Sequence, residues 1–177
     1  MTMNLNGVHF NGDRSMLMFS VGGKVFGYDT TNGEEVYKFA SDDPIERFTI
    51  SPDESLMAVM YRVPGAEPGE RGTHLLQIRE FETKELLHEA LVPDFAYHFR
   101  FANDNRTLAL CCNEWKPARS LSSVVLFDAQ TGQFGAEIPT GRYQIHQLAF
   151  SPDDQRIATS HSHTQILIWN LADFPAP

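Results

Sequence analysis

Cysteine is scarce in this chain: its 177 residues include two, Cys111 and Cys112, side by side. Adjacent cysteines cannot close an ordinary structural disulfide, so the expected fold has no covalent staples and suits a reducing cytoplasm. Long apolar runs are missing too, and none approaches the roughly 18 residues of a membrane span. The start, Met1 to Gly7, carries neither a basic region nor an apolar stretch, which argues against a secretion signal. Basic residues are few, 14 against 23 acidic, for a net charge of −9. Nucleic-acid binding draws its affinity mainly from neutralising phosphates, so no nucleic-acid partner is expected. No Gly-x-Ser-x-Gly elbow and no phosphate-cradling glycine loop is present. Helical periodicity appears nowhere.

What is present is a repeat. An apolar residue, two small or turn-forming residues and an aspartate recur as Phe10-Asn11-Gly12-Asp13, Ile50-Ser51-Pro52-Asp53, Phe101-Ala102-Asn103-Asp104 and Phe150-Ser151-Pro152-Asp153. The aspartates lie 40, 51 and 49 residues apart. A second anchor, an aromatic followed by a polar residue, recurs at Tyr28-Asp29, Phe81-Glu82, Phe127-Asp128 and Trp169-Asn170. From first to second anchor the spacings are 16, 29, 24 and 17, so the two middle units carry insertions. Without those insertions the period is about 40, as expected for a four-stranded propeller blade.

Each unit reads as strand, turn, strand, turn, strand, turn, strand. In the second unit Ile45–Ile50, Leu56–Arg62, His74–Phe81 and Leu86–Val92 are the strands, and Ser51-Pro52-Asp53-Glu54 is the first turn. In the third, Thr107–Cys112 and Ser123–Phe127 flank a loop over Glu114–Leu121. Asn32-Gly33 and Thr131-Gly132 supply the positive φ of a hairpin. The fourth unit ends at Leu171–Pro177 with two late prolines, which excludes a fourth central strand. The expected fold is therefore all-β, a propeller or half-propeller of four blades with about 15 antiparallel strands, the last blade lacking its outer strand. Residues 1–177 form one domain in this reading, with blades at about 5–40, 41–92, 93–139 and 140–174.

The fourth unit, Gln147-Leu148-Ala149-Phe150-Ser151-Pro152-Asp153, Arg156–Ser160 and Ile166-Leu167-Ile168-Trp169-Asn170, resembles the WD40 repeat. Trp169-Asn170 takes the place of that family's Trp-Asp pair. The family's Gly-His pair is missing from every unit, and Tyr28, Phe81 and Phe127 stand where tryptophan is usual. The resemblance therefore implies that the Asp-His-Ser-Trp hydrogen-bond network is lost and that apolar packing and strand pairing hold the blades. An incomplete last blade leaves three outcomes open: a tight four-bladed ring, two chains forming an eight-bladed ring, or completion by another protein.

Both insertions fall between second and third strands, which the resemblance places on the same rim as the entry to the first strand. Loops on a rigid scaffold concentrate binding residues. Trp115, with Lys116 and Arg119 beside it, has the composition of an interface hot spot, and Arg71 belongs to the neighbouring insertion. The competing reading folds Trp115 back over the blade and leaves the arginines solvated. Four residues before each first anchor stand Asn6, Glu46, Tyr97 and His146, which the resemblance brings towards a central channel. His161-Ser162-His163 superficially suggests a metal pair and reads better as a turn. The expectation is a non-catalytic scaffold without cofactor, binding a protein or peptide and completed by self-association or a partner chain. The alternative is a propeller enzyme of metal-dependent lactonase type, for which Glu46 and His146 are the only inward groups in view.

Overall fold

The computed structural model describes residues 5–64, 72–92, 95–116, 119–141 and 143–174, with the backbone alone at 5–6, 114–116 and 119–120. Among the described residues all of the regular structure is strand apart from two short 3-10 turns, at Ser162–Thr164 and Leu171–Asp173. Fifteen strands form four antiparallel sheets, each sheet in chain order. The first contains β1 (Leu5–Phe10), β2 (Met16–Val21), β3 (Lys24–Asp29) and β4 (Glu35–Ala40). The second contains β5 (Ile45–Ile50), β6 (Leu56–Val63), β7 (Thr73–Glu80) and β8 (Leu86–Val92). The third contains β9 (Phe95–Phe101), β10 (Thr107–Lys116), β11 (Arg119–Asp128) and β12 (Gln133–Gly141). The last has three strands, β13 (Ile145–Phe150), β14 (Arg156–His161) and β15 (Gln165–Asn170). These are propeller-type blades, four among the described residues, where the fourth has no outer strand.

The chain divides into two compact units, 1–91 and 92–177, each with its own core. In the first, Met16, Met18, Val25 and Phe39 of the first sheet meet Phe48, Met57, Val59 and Tyr61 of the second, with Phe81 from the turn after β7. In the second, Ala109, Cys111, Val124 and Ile138 meet Ile145, Leu148 and Ile157. Alternation along each strand directs every second side chain into that layer.

The repeated aspartate has a common duty. Asp13, Asp53, Asp104 and Asp153 each accept the backbone N–H two residues on, from Ser15, Ser55, Arg106 and Gln155, at 2.8–3.1 Å. The residue after each aspartate, Arg14, Glu54, Asn105 or Asp154, lies in the left-handed region at φ 52–65°. A side-chain acceptor bonded two residues ahead tightens the turn between first and second strands. These turns also bridge neighbouring sheets: Gly12 N–H donates to Glu54 Oε1 at 3.3 Å, and Asn103 N–H to Asp154 Oδ1 at 3.0 Å.

The second anchor needs one correction. In the second blade it is Glu80, two residues before Glu82: Leu56 pairs with Glu80 as Met16 pairs with Asp29 and Thr107 with Asp128. The next residue donates across the blade in all four units, from Thr30, Phe81, Ala129 and Leu171. Arg79, not Phe81, therefore occupies the position of Tyr28, Phe127 and Trp169. Its guanidinium lies 5.1 Å from the Phe39 ring, a cation–π contact where the other blades place an aromatic. Gly33 and Gly132 sit at φ 73° and 72° as expected, and Lys84 takes the equivalent place at 66°.

One further expectation changes. Glu114–Lys116 and Arg119–Leu121 are strand and not loop, because β10 and β11 stay in register from Cys112 opposite Ser123 to Lys116 opposite Arg119. The insertion lengthens a hairpin. Both cysteines are fully buried. Burial pushes the Cys111 thiol well above the ordinary range.

Candidate functional site

One end of each sheet gathers the unusual features. Pairing of the first and second strands breaks at a β-bulge there in all four blades. The extra, unopposed residue is Gly7, Glu46, Tyr97 or His146. Three of these are positions that the repeat singles out. In the first blade the bulge falls one residue later, at Gly7 instead of Asn6. Gly7 has φ +67°, and a Cβ there would lie 3.2 Å from His9 Nε2. A bulge re-aims a side chain and recurs beside functional sites.

The three side chains have different surroundings. Glu46 Oε2 lies 2.8 Å from Nε2 of His74, which is fully buried on β7. The hydrogen bond from His74 holds the Glu46 carboxyl below its usual range against the opposing effect of burial. Tyr97 packs edge-on against Phe95, with ring centroids 4.7 Å apart. His146 is exposed, with Nε2 3.2 Å from the Ser162 hydroxyl. Two buried polar atoms lie near this end without a hydrogen-bond partner, the Tyr61 hydroxyl and Asn113 Nδ2.

The strand register places the second-to-third strand connection of each blade at this same end. Ile45 at the start of β5 is opposite Tyr61 near the end of β6. Phe95 at the start of β9 is opposite Asn113, and the β10–β11 hairpin runs on beyond it. Trp115, Lys116 and Arg119 form the far end of that hairpin by backbone position, and their side chains lie outside the described residues. Arg71 lies outside them altogether.

Two features were not anticipated. The fourth blade has a buried polar chain: Trp169 Nε1–H donates to Thr159 Oγ1 at 3.0 Å, Thr159 Oγ1 lies 2.7 Å from His161 Nε2, and His161 Nδ1 lies 3.1 Å from the Tyr143 carbonyl. This is not the Asp-His-Ser-Trp network of the WD40 repeat, since it contains no aspartate, but it links a tryptophan, a hydroxyl and a histidine within this blade. Its histidine comes from the end of the second strand, so the missing Gly-His pair did not reveal it. The signal was the alternation Thr159–His161 facing Trp169. His163 lies in the turn, at φ 65°. Among the described residues no three His, Cys, Asp or Glu groups lie close enough to hold a metal ion.

The other feature is the edge at β15. Its neighbour on one side is β14, and no strand pairs with its other side among the described residues. Ile166 and Ile168 on this strand are 72% and 67% exposed. The missing outer strand was legible in the sequence, whereas the exposure of both isoleucines was not.

No family model matches the chain, and no curated protein matches it in sequence. Among solved structures it is similar to Kuenenia stuttgartiensis hydrazine synthase, with a TM-score of 0.72 and 13% identity, over 93% of this chain and 52% of that one. The chain spans about half the length of that protein. At such identity the likeness shows the fold alone, a β-propeller architecture. No helix of the described residues is long and apolar enough to cross a membrane.

Proposed function

We propose that the chain is a non-catalytic, WD40-like scaffold that binds protein, taking an extended segment of its partner along β15. The observation that carries this reading is the unpaired edge of β15 with Ile166 and Ile168 exposed. An open edge offers a row of backbone donors and acceptors, and a partner strand added there gains main-chain hydrogen bonds. The complete blades indicate what fits. β4 pairs with β3 and adds Tyr37 and Phe39 to the core, and β12 pairs with β11 and adds Ile138. The partner segment is accordingly extended, with bulky apolar residues at alternate positions. Specificity then comes from the bulge end of the blades, taken unit by unit: Glu46 in residues 1–91, and Tyr97 and His146 in residues 92–177, where the long hairpin also carries Trp115, Lys116 and Arg119. A stiff sheet framework keeps the ordering entropy of binding low.

The probe is a labelled peptide copying residues 33–42, which contains β4. Saturable binding is expected, together with slowed amide exchange confined to β15. The Ile166→Lys/Ile168→Lys variant, altered only at exposed positions, is expected to fold normally and to lose the peptide. Binding without protection of β15 amides, or equal binding by the variant, would refute the proposal.

A further inference from the structure

The two faces of the first sheet have unequal fates. Met16, Met18, Val25 and Phe39 are buried in the core of their unit. The opposite face carries Val8 opposite Phe19 opposite Phe26, and Phe10 opposite Leu17 opposite Tyr28. Val8 and Phe10 are 55% and 59% exposed. Behind them Phe19 and Tyr28 stack at 5.6 Å, and the Lys38 ammonium lies over Phe26. The result is a largely apolar sheet face on which, among the described residues of its own unit, no sheet packs.

The repeat shows what such a face is shaped to meet. Val8 and Phe10 hold the positions of Phe48 and Ile50 in the second blade and of Leu148 and Phe150 in the fourth. Those four residues pack into the two cores, facing the preceding blade of their own unit. Each is met there by smaller or unbranched residues: Met18 and Val25 in one unit, Ala109 and Val124 in the other. The chain carries one more surface of this second kind. In the fourth blade Ala158 holds the position of Met18 and Ala109, and Ile166 that of Val25 and Val124. Val25 and Val124 are 0% exposed, whereas Ile166 is open to solvent.

We infer that the Val8–Phe10 face of one copy docks onto the Ala158–Ile166–Ile168 face of a second copy. The contact repeats between chains a sheet-on-sheet packing that each chain makes twice within itself. A second copy is the occupant because this chain presents both halves of that contact. The association is head-to-tail, each copy giving one half and receiving the other. It uses sheet faces and not the backbone edge of β15, so it does not rest on the peptide reading.

The experiment is sedimentation velocity on the 177-residue chain and two variants, Phe10→Glu and Ile166→Glu. Both substitutions fall at exposed positions, and circular dichroism confirms that the variants remain folded. The unaltered chain is expected to assemble reversibly above its 20.0 kDa monomer. Each variant loses affinity by about 30-fold or more, as for a central interface residue. An equimolar mixture of the two variants retains one intact pair of faces and is expected to form a two-chain complex. Phe10→Glu keeps its peptide capture along β15, so the two proposals fail separately. A monomeric unaltered chain at every concentration, an Ile166→Glu variant that assembles normally, or a variant mixture that stays monomeric would overturn the inference.

Discussion

Thr159 shows how much a single hydroxyl carries. It is fully buried and joins Trp169 Nε1–H on one side to His161 on the other. Valine has nearly the same shape and no hydroxyl. Thr159→Val is expected to leave the indole N–H and an imidazole nitrogen unpaired, at a cost of about 1–3 kcal/mol. Denaturant titration followed by tryptophan fluorescence measures the loss, and Thr159→Ser, which restores the oxygen, should recover most of it. An unchanged midpoint for Thr159→Val would mean that the chain of hydrogen bonds is ornamental to stability. At this scale the sequence was only partly informative. The aromatic at 169 was visible, but its partners lie on another strand and could be chosen only once register was known.

Elements are set mainly by turns, and the turns are held by carboxylates. Hydrogen bonds from the Arg106 guanidinium hold the Asp128 carboxyl down at about 2, where 3.8 is ordinary. Hydroxyls of Ser15, Thr31 and Ser151 likewise lower Asp13, Asp29 and Asp153. A carboxyl depressed on folding binds its proton more readily in the unfolded chain. The stability it contributes is therefore complete above the ordinary range and is lost as pH falls from about 4 towards 2. Urea midpoints are expected to be flat near neutrality and to drop over that acid interval, with a shallower drop for Asp128→Asn. The four aspartate turns were legible because each depends on three or four consecutive residues. Misplacing the second anchor of the second blade at Phe81-Glu82 had a physical cause: Arg79 substitutes a cation for the expected ring, so the aromatic cue moved two residues along. The long hairpin was missed for a related reason. Pro117 and Trp115-Lys116 look like loop composition, while cross-strand pairing decides the outcome.

For the whole molecule, the consequential facts are a core within each unit and the open sheet faces. Both tryptophans, Trp115 and Trp169, belong to residues 92–177. Indole fluorescence thus reports one unit, whereas far-ultraviolet dichroism reports both. Met57 is fully buried in the other core, and Met57→Ala is expected to remove about 2–5 kcal/mol there. The dichroism transition should then begin at lower denaturant than the fluorescence transition. Coincident curves would show that the units unfold as one. The four-blade plan and the missing strand could be read from anchor spacing alone, because period survives divergence. The candidate surfaces could not, since exposure of Val8, Phe10 and Ile166 depends on what packs against a sheet and not on the residues within it.

The thiol of Cys111 has a consequence of its own. It lies fully buried in the core of residues 92–177. A sulfhydryl reagent therefore reaches it only when that core opens, and its uptake keeps time with that opening. The chain carries a built-in clock for the breathing of residues 92–177, with no label added.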